Sequence, residues 1–297
     1  MLSKQTYVGS TNKHMFKWTW SSFKLILQIL SAREPALHLV GLVMSIANIS
    51  PLVRMADKLA LHAPISVQDR VSLLELPYAS RFSEAGSYLL RDGDTPDQCG
   101  IMVSGLAYRH KINVEGRRQI VSIHIPGEIY DLQQLHLATA DNNVQALTRC
   151  EIVTIPHEAL RRLAAERPSV AHALTVTTIV ELSMSREWML GIGRRDARTR
   201  LAHLLCEFAF RLDKHGLPPG QAYELPMTQE QLADALGLTA VHVNRILKGL
   251  ANDGLIVHSR RGVTIPDWAV LVAEGGFNSR YLHMNPPDAT VRPPDHA

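Results

Sequence analysis

At Pro156 the residue pattern changes from one kind of secondary structure to another, and that switch limits the chain to folds with sheet before it and helix after it. Between Phe82 and Pro156, Gly86, Gly93, Gly100, Gly105, Gly116 and Gly127 separate short β-branched or alternating runs. Examples are Ile101-Met102-Val103, Gln119 to Ile125 and Glu151 to Ile155. Short strands joined by turns at this spacing predict an antiparallel sandwich or barrel. After Pro156 a short helix is expected from His157 to Glu166, stopped by Pro168, and a long one from about Ser169 into the Arg194-Arg195 region. The long segment carries two apolar stripes: Val170, Leu174, Thr177, Glu181, Met184 and Trp188, with Ala173, Val176, Val180, Ser183 and Leu190 alongside. One stripe can cover the β-domain while the other meets a partner helix, so this is a candidate dimerisation element. Leu201, Leu204, Leu205, Phe208 and Leu212 then recur every three or four positions, as in an amphipathic helix, before Pro218-Pro219-Gly220 breaks it.

The stretch from Pro226 to Ile256 says most about function. Thr228 and Gln231 have the spacing of a capping box, which starts a helix at about Gln229. Leu232, Ala233 and Leu236 supply its inner face, and Gly237 stands where a left-handed cap would end it. Two residues on, Thr239 can cap a second helix that buries Val243, Ile246, Leu247 and Leu250. Its outer face is then Ala240, Val241, His242, Asn244, Arg245 and Lys248. Two short helices joined by a glycine-containing turn make a helix-turn-helix. That outer face suits a major groove, because Arg pairs with guanine O6 and N7, Asn with adenine N6 and N7, and Val with a thymine methyl. Downstream, Leu255 to Val257 and Val263 to Ile265 flank Ser259-Arg260-Arg261-Gly262, a hairpin with two cations at its tip placed to touch phosphate as a wing.

Composition narrows the alternatives. With 297 residues, 46% of them hydrophobic and 20% charged, the chain is a soluble globular protein with room for about two domains. The net charge of +3 permits a polyanionic partner without naming one, so the placement of the cations decides. Cys99, Cys150 and Cys206 are far apart and form no C-x-x-C pair, which excludes a disulfide scaffold or zinc knuckle and fits a reducing cytoplasm.

These motifs identify a resemblance. G-S-Y-L-L-R-D-G-D at Gly86 to Asp94, V-S-G-L-A at Val103 to Ala107, P-G-E at Pro126 to Glu128 and the run from Thr228 to Leu247 are similar to the family of cyclic-AMP receptor protein and Fnr, bacterial transcription regulators. The likeness covers roughly Met55 to Trp268. It implies an α+β fold: an N-terminal antiparallel β-roll (a double-stranded β-helix of the cyclic-nucleotide-binding kind) at 55–167, a dimerisation helix at 168–193, and a C-terminal winged helix-turn-helix at 194–268 with its motif at 228–250. It also implies a homodimer on a near-palindromic double-stranded DNA site, with RNA polymerase as a further partner. The DNA-binding residues expected are Thr228, Gln229, Thr239, Ala240, Val241, His242, Asn244, Arg245, Lys248, Arg260 and Arg261. Val241 stands where both namesakes carry glutamate, which points to a different half-site.

The effector pocket is expected around Gly127 and Glu128, yet it departs from the family. Cyclic-nucleotide-binding members follow P-G-E with a cassette ending in Arg-Ser or Arg-Thr, whereas Gln119 to Thr148 here holds no Lys or Arg. A buried phosphate without a cation is costly, so cyclic AMP is not expected as ligand. An iron-sulfur cluster needs four Cys ligands and three scattered ones exist. His110, His124, His136 and His157 read as polar residues on the β-domain surface rather than ligands, and no cofactor is identified. A cupin-type metalloenzyme would need an H-x-H pair, which Ile125-Pro126 after His124 removes; a channel or kinase regulatory module would not carry a winged helix. A cyclic-nucleotide-responsive regulator with a non-standard pocket is the other reading.

Both ends read differently from the middle. Residues 1–54 carry Lys4, Lys13, Lys17 and Lys24 ahead of a charge-free run from Pro35 to Val53. His38, Gly41, Asn48 and Pro51 dilute that run, which is near the roughly 20 residues of a spanning helix, so no membrane segment is expected. A poorly ordered extension or a mistaken start codon is the expectation. Residues 269–297, turn-rich beyond Phe277, are expected to form a disordered tail.

Overall fold

The computed structural model describes residues 50–212, 222–258 and 262–284. Most of the expected extension, the Pro218-Pro219-Gly220 break, the hairpin-tip cations Arg260 and Arg261, and the end of the tail lie outside the described residues. Folded structure begins ahead of Met55: Leu52 is fully buried, and helix α1 starts at Val53 (Val53–His62). A second helix, α2 (Val67–Leu74), is capped by Ser66, whose hydroxyl accepts from the Asp69 amide.

Seven strands follow: β1 (Ala79–Ser83), β2 (Tyr88–Leu90), β3 (Gln98–Ser104), β4 (Ala107–Ile112), β5 (Arg118–His124), β6 (Asn143–Ala146) and β7 (Cys150–Pro156). They form two antiparallel sheets, in the orders β1-β7-β3 and β2-β6-β4-β5. Leu90, Met102, Ala107, Val144 and Ile152 come from both sheets and share one core with Tyr130 of the segment after β5, as the inner faces of a roll must. Gly100 on β3 is required by space: a Cβ there would lie 2.0 Å from the Tyr130 ring.

Beyond the roll, α3 (His157–Glu166) leads into α4 (Pro168–Arg194), a helix of 27 residues. α4 buries Val170, Ala173, Leu174 and Val180. Its uncovered apolar residues are Ile179, Leu182, Met189, Leu190 and Ile192, of which only Leu190 belongs to a stripe read off the sequence; Glu181 and Trp188 of the first stripe turn inward to partners described below. Helix α5 (Ala197–Leu212) comes next, then β8 (Ala222–Glu224), α6 (Gln229–Leu236), α7 (Ala240–Asn252), β9 (Val257–His258), β10 (Gly262–Thr264) and α8 (Trp268–Gly275). β8, β10 and β9 make a small antiparallel sheet. One hydrophobic core runs through Ile120 and Ile123 of the roll, Leu205 and Phe208 of α5, and Leu236 and Val243 of the helical pair.

The expectation of a disordered tail from residue 269 is corrected as far as Met284. α8 packs along α5 with Leu271 fully buried, and a 3-10 turn at Ser279–Leu282 buries Leu282. Phe277 sets its ring against His203 at 5.4 Å and Trp268 at 6.1 Å. These anchors are aromatic and irregularly spaced, so helical periodicity does not reveal them.

Gly100→Ala tests the roll core. The added methyl must displace the Tyr130 ring, and overpacking of this kind costs about 1–3 kcal/mol. Equilibrium urea unfolding should show a lowered midpoint; an unchanged one would mean that Tyr130 moves aside freely.

Candidate nucleic-acid interface

The local chemistry of the helical pair builds a surface. The Thr228 hydroxyl accepts from the Gln231 amide at 3.1 Å while the Thr228 amide donates to Gln231 Oε1 at 2.9 Å, closing both halves of a capping box. Gly237 ends α6 with φ +64°, a conformation that a side chain disfavours. Thr239 then caps α7 by accepting from the His242 amide at 3.3 Å. With both ends set, Val243, Ile246, Leu247 and Leu250 all face the core, and the opposite side of α7 faces outward.

That outer side is one shallow concavity of about 720 Å³, lined by Gln229, Ala240, Val241, Asn244, Arg245 and Lys248 among others. Val241 is 82% exposed, and Arg245 and Lys248 are exposed with it. Asn244 donates its amide to Gln229 Oε1 at 3.0 Å, so these two residues form a unit. Thr228 and Thr239 serve as caps. His242 is turned to a separate cleft, shared with Arg118 and Thr239. Asn252, which the sequence reading omitted, lines the same concavity; its signal was present in the helical phase of Val241, Arg245 and Lys248. Beside this surface, His258 pairs with Val263 across the base of the β9–β10 hairpin; Arg260 and Arg261 lie outside the described residues.

The expected effector pocket is corrected. Gly127 and Glu128 are shut in by the chain's own groups. A Cβ on Gly127, whose φ is +93°, would meet the Arg54 carbonyl at 2.7 Å. The Glu128 carboxylate pairs with Lys58 of α1 at 3.0 Å and Arg211 of α5 at 3.0 Å, and accepts from the Ile125 amide at 3.2 Å. Burial alone would raise its pKa, but Arg211, Lys58 and His124 together hold it well below the usual carboxylate range. Arg109 on β4 points to α4, where it pairs with Glu181 and donates to the Tyr130 carbonyl at 2.6 Å.

The histidines also need correction, because His110, His124 and His157 are buried. The register shift between β4 and β5 leaves its extra residue, Val121, on β5, and His110 lies on the same face of β4 as Tyr108, two residues earlier, buried between the rings of Tyr88 and Tyr108. Burial and the charge of Arg118 lower its pKa to about 4, so it is neutral at physiological pH. Among the described residues no three His, Cys, Asp or Glu side chains are grouped to hold a metal ion, and no helix is long and apolar enough to cross a membrane.

A β-roll, a long helix and a winged helix-turn-helix in one chain define a two-domain DNA-binding regulator. Residues 80–167 match the cyclic nucleotide-binding domain family and residues 199–274 the Crp-like helix-turn-helix domain family. The chain is 30% identical over 217 residues to the transcriptional activator protein FnrL of Cereibacter sphaeroides, covering 71% of this chain and 86% of that protein. It is 30% identical over 211 residues to the nitrogen fixation regulation protein FixK of Bradyrhizobium diazoefficiens, covering 69% and 86%. The structure of FixK2 from Bradyrhizobium japonicum is similar with a TM-score of 0.61 at 24% identity, over 67% of this chain and 97% of that one. The chain belongs to the Crp/Fnr family of bacterial transcription regulators. It is a sequence-specific DNA-binding regulator and not an enzyme.

Asp131 gives the roll a pH signature. Burial raises its carboxyl to about 7, although the Gly100 amide donates to it at 2.7 Å and Arg109 lies near. The folded state therefore keeps a proton that the unfolded chain has lost, between the ordinary value of 3.8 and about 7. Stability falls as pH rises through that window. Asp131→Asn should flatten this limb in urea unfolding at pH 5 and pH 8; an unchanged slope would place the titration elsewhere.

Proposed function

We propose that two copies of the chain pair along α4 and place their α7 helices in successive major grooves of a near-palindromic site, about 34 Å apart. The observation that carries this reading is the concavity on α7, where Val241, Asn244, Arg245 and Lys248 share a surface while the opposite side is core. The uncovered Ile179, Leu182 and Met189 on α4 support pairing by a second copy. In this reading Arg245, Asn244 and Val241 read bases, with Ala240 and Gln229 shaping the contact. Lys248, Arg260 and Arg261 hold phosphates. Relatives named as activators support a further contact with RNA polymerase once the site is bound, in the cytoplasm where the chromosome lies.

The roll, on this view, answers to something other than cyclic AMP bound through its phosphate. Two features support that: the cassette from Gln119 to Thr148 has no cation, and the nearby Arg109 is committed to Glu181. Burial of Cys99, Cys150 and Cys206 likewise argues against an iron-sulfur cluster on them.

Footprinting on genomic DNA would identify a site, and fluorescence anisotropy on that site tests the roles. Arg245→Ala should cost about 1–3 kcal/mol and relax base preference at one position, whereas Arg260→Ala should weaken all sequences alike and reduce the salt slope by about one. A footprint indifferent to Arg245→Ala would overturn the base-reading assignment. Saturating cyclic AMP should leave the affinity for that site unchanged; a tightening would restore the cyclic-nucleotide reading.

A further inference from the structure

The segment from Phe277 to Met284 lies beyond the matched helix-turn-helix region, which ends at residue 274, and closes on a single buried carboxylate. The Tyr281 hydroxyl donates to Glu207 Oε2 at 2.8 Å and lies 3.1 Å from His203 Nε2; the two rings stack at 5.9 Å and 20°. His203 Nδ1 is 3.1 Å from the Gly275 carbonyl at the end of α8. Glu207, 1% exposed, also accepts from Trp188 Nε1 of α4 at 3.0 Å and from Arg211 at 3.2 Å. Arg211 continues to Glu128 and to the Ile123 carbonyl at 2.7 Å, both in the roll. At the far end of the segment the His283 carbonyl lies 3.0 Å from His62 Nδ1 of α1.

The location of this carboxylate matters more than the number of its partners. Only Arg195 and Asp196 separate α4 from α5, so the angle between these helices is set at this junction. The α6–α7 pair rides on α5 through the shared core. The Trp188–Glu207 bond crosses that junction, and Tyr281 holds Glu207 from the other side. A buried, multiply bonded carboxylate has discrete arrangements rather than a continuous range, since each half-broken state leaves charge unpaired.

We propose that Glu207 is a positioning residue for DNA recognition and that residues 277–284 are a clasp on it. The clasp sets the angle of the winged helix on α4, and thereby the distance between the two α7 helices of the dimer. This rests on the paired-helix reading given under Proposed function.

The test uses the full-length chain and a series of DNA duplexes whose half-sites are moved apart or together one base pair at a time. Affinity is read by anisotropy, and the thermal midpoint of each protein is measured alongside. Tyr281→Phe removes the hydroxyl and keeps the ring; Glu207→Gln keeps the acceptor oxygen and removes the charge. Either should lower affinity for the best-spaced duplex by roughly three- to tenfold and shift or broaden the spacing optimum. A uniform loss across the series that follows the thermal midpoint would reduce the clasp to a stabilising role and overturn the proposal. So would a wild-type spacing profile in both variants. Arg245→Ala separates the two levels: if it leaves binding untouched, or if the wild-type protein has no spacing preference, the paired-helix reading itself fails.

Discussion

The guanidinium of Arg211 is the charge around which the molecule is assembled. It is buried, 3.0 Å from Glu128 of the roll and 3.2 Å from Glu207 one turn back on its own helix. A cation in that position is tolerable only because two carboxylates and the Ile123 carbonyl replace its water, and each carboxylate has a further donor, Lys58 or Trp188. Removing one partner from such a group costs about 3–5 kcal/mol, far more than an exposed pair contributes. Arg211 is therefore weak as a source of stability over a well-packed apolar helix, yet strong as a constraint on geometry. It permits α5 to meet the roll in one register.

That constraint reaches the DNA-binding surface through packing. α5 forms the floor under α6 and α7, and its Leu201, Leu205 and Phe208 share a core with Val243 and Leu247. A second tie runs outside the core: Arg118 of β5 donates to Asp234 of α6 at 2.7 Å, and Gln119 to the Ala235 carbonyl at 3.3 Å. The outward face of α7 carries few polar side chains, so its ability to discriminate bases depends on how firmly the helix beneath them is held. The two caps, the αL turn at Gly237 and the α5 floor all act on that rigidity.

Much of this was legible in the residues, and what was not has a common cause. The helix-turn-helix is encoded locally: Thr228, Gln231, Gly237 and Thr239 act within three or four residues of themselves, and a period near 3.6 marks the buried face. The strands of the roll are punctuated by glycines whose spacing is also local. What escaped was non-local. Arg211 and Glu128 are 83 residues apart, Tyr281 and Glu207 are 74 apart, and Arg109 and Glu181 are 72 apart. No pattern in the chain announces such pairs. Which residues of α4 stay uncovered escaped for the same reason, because Glu181 and Trp188 are drawn inward by Arg109 and Glu207. The tail was missed because isolated aromatic anchors have no period, and His110 because a polar residue type hides a position that is buried in phase with Tyr108.

The closed interior of the roll bears on how a signal can enter. A ligand changes DNA affinity only by the difference between its affinities for two arrangements of the protein. Around Gly127 and Glu128 any ligand would first have to displace Lys58 or Arg211, and a ligand that used the Arg109 guanidinium would have to part it from Glu181. In a chain that buries a phosphate, the protein offers a vacant cation and the ligand supplies the missing charge. Here Glu128 and Glu181 already supply the negative charge, so the folded chain holds internally the contacts that a nucleotide would otherwise bring. A ligand that enters at either of those places competes with these pairs.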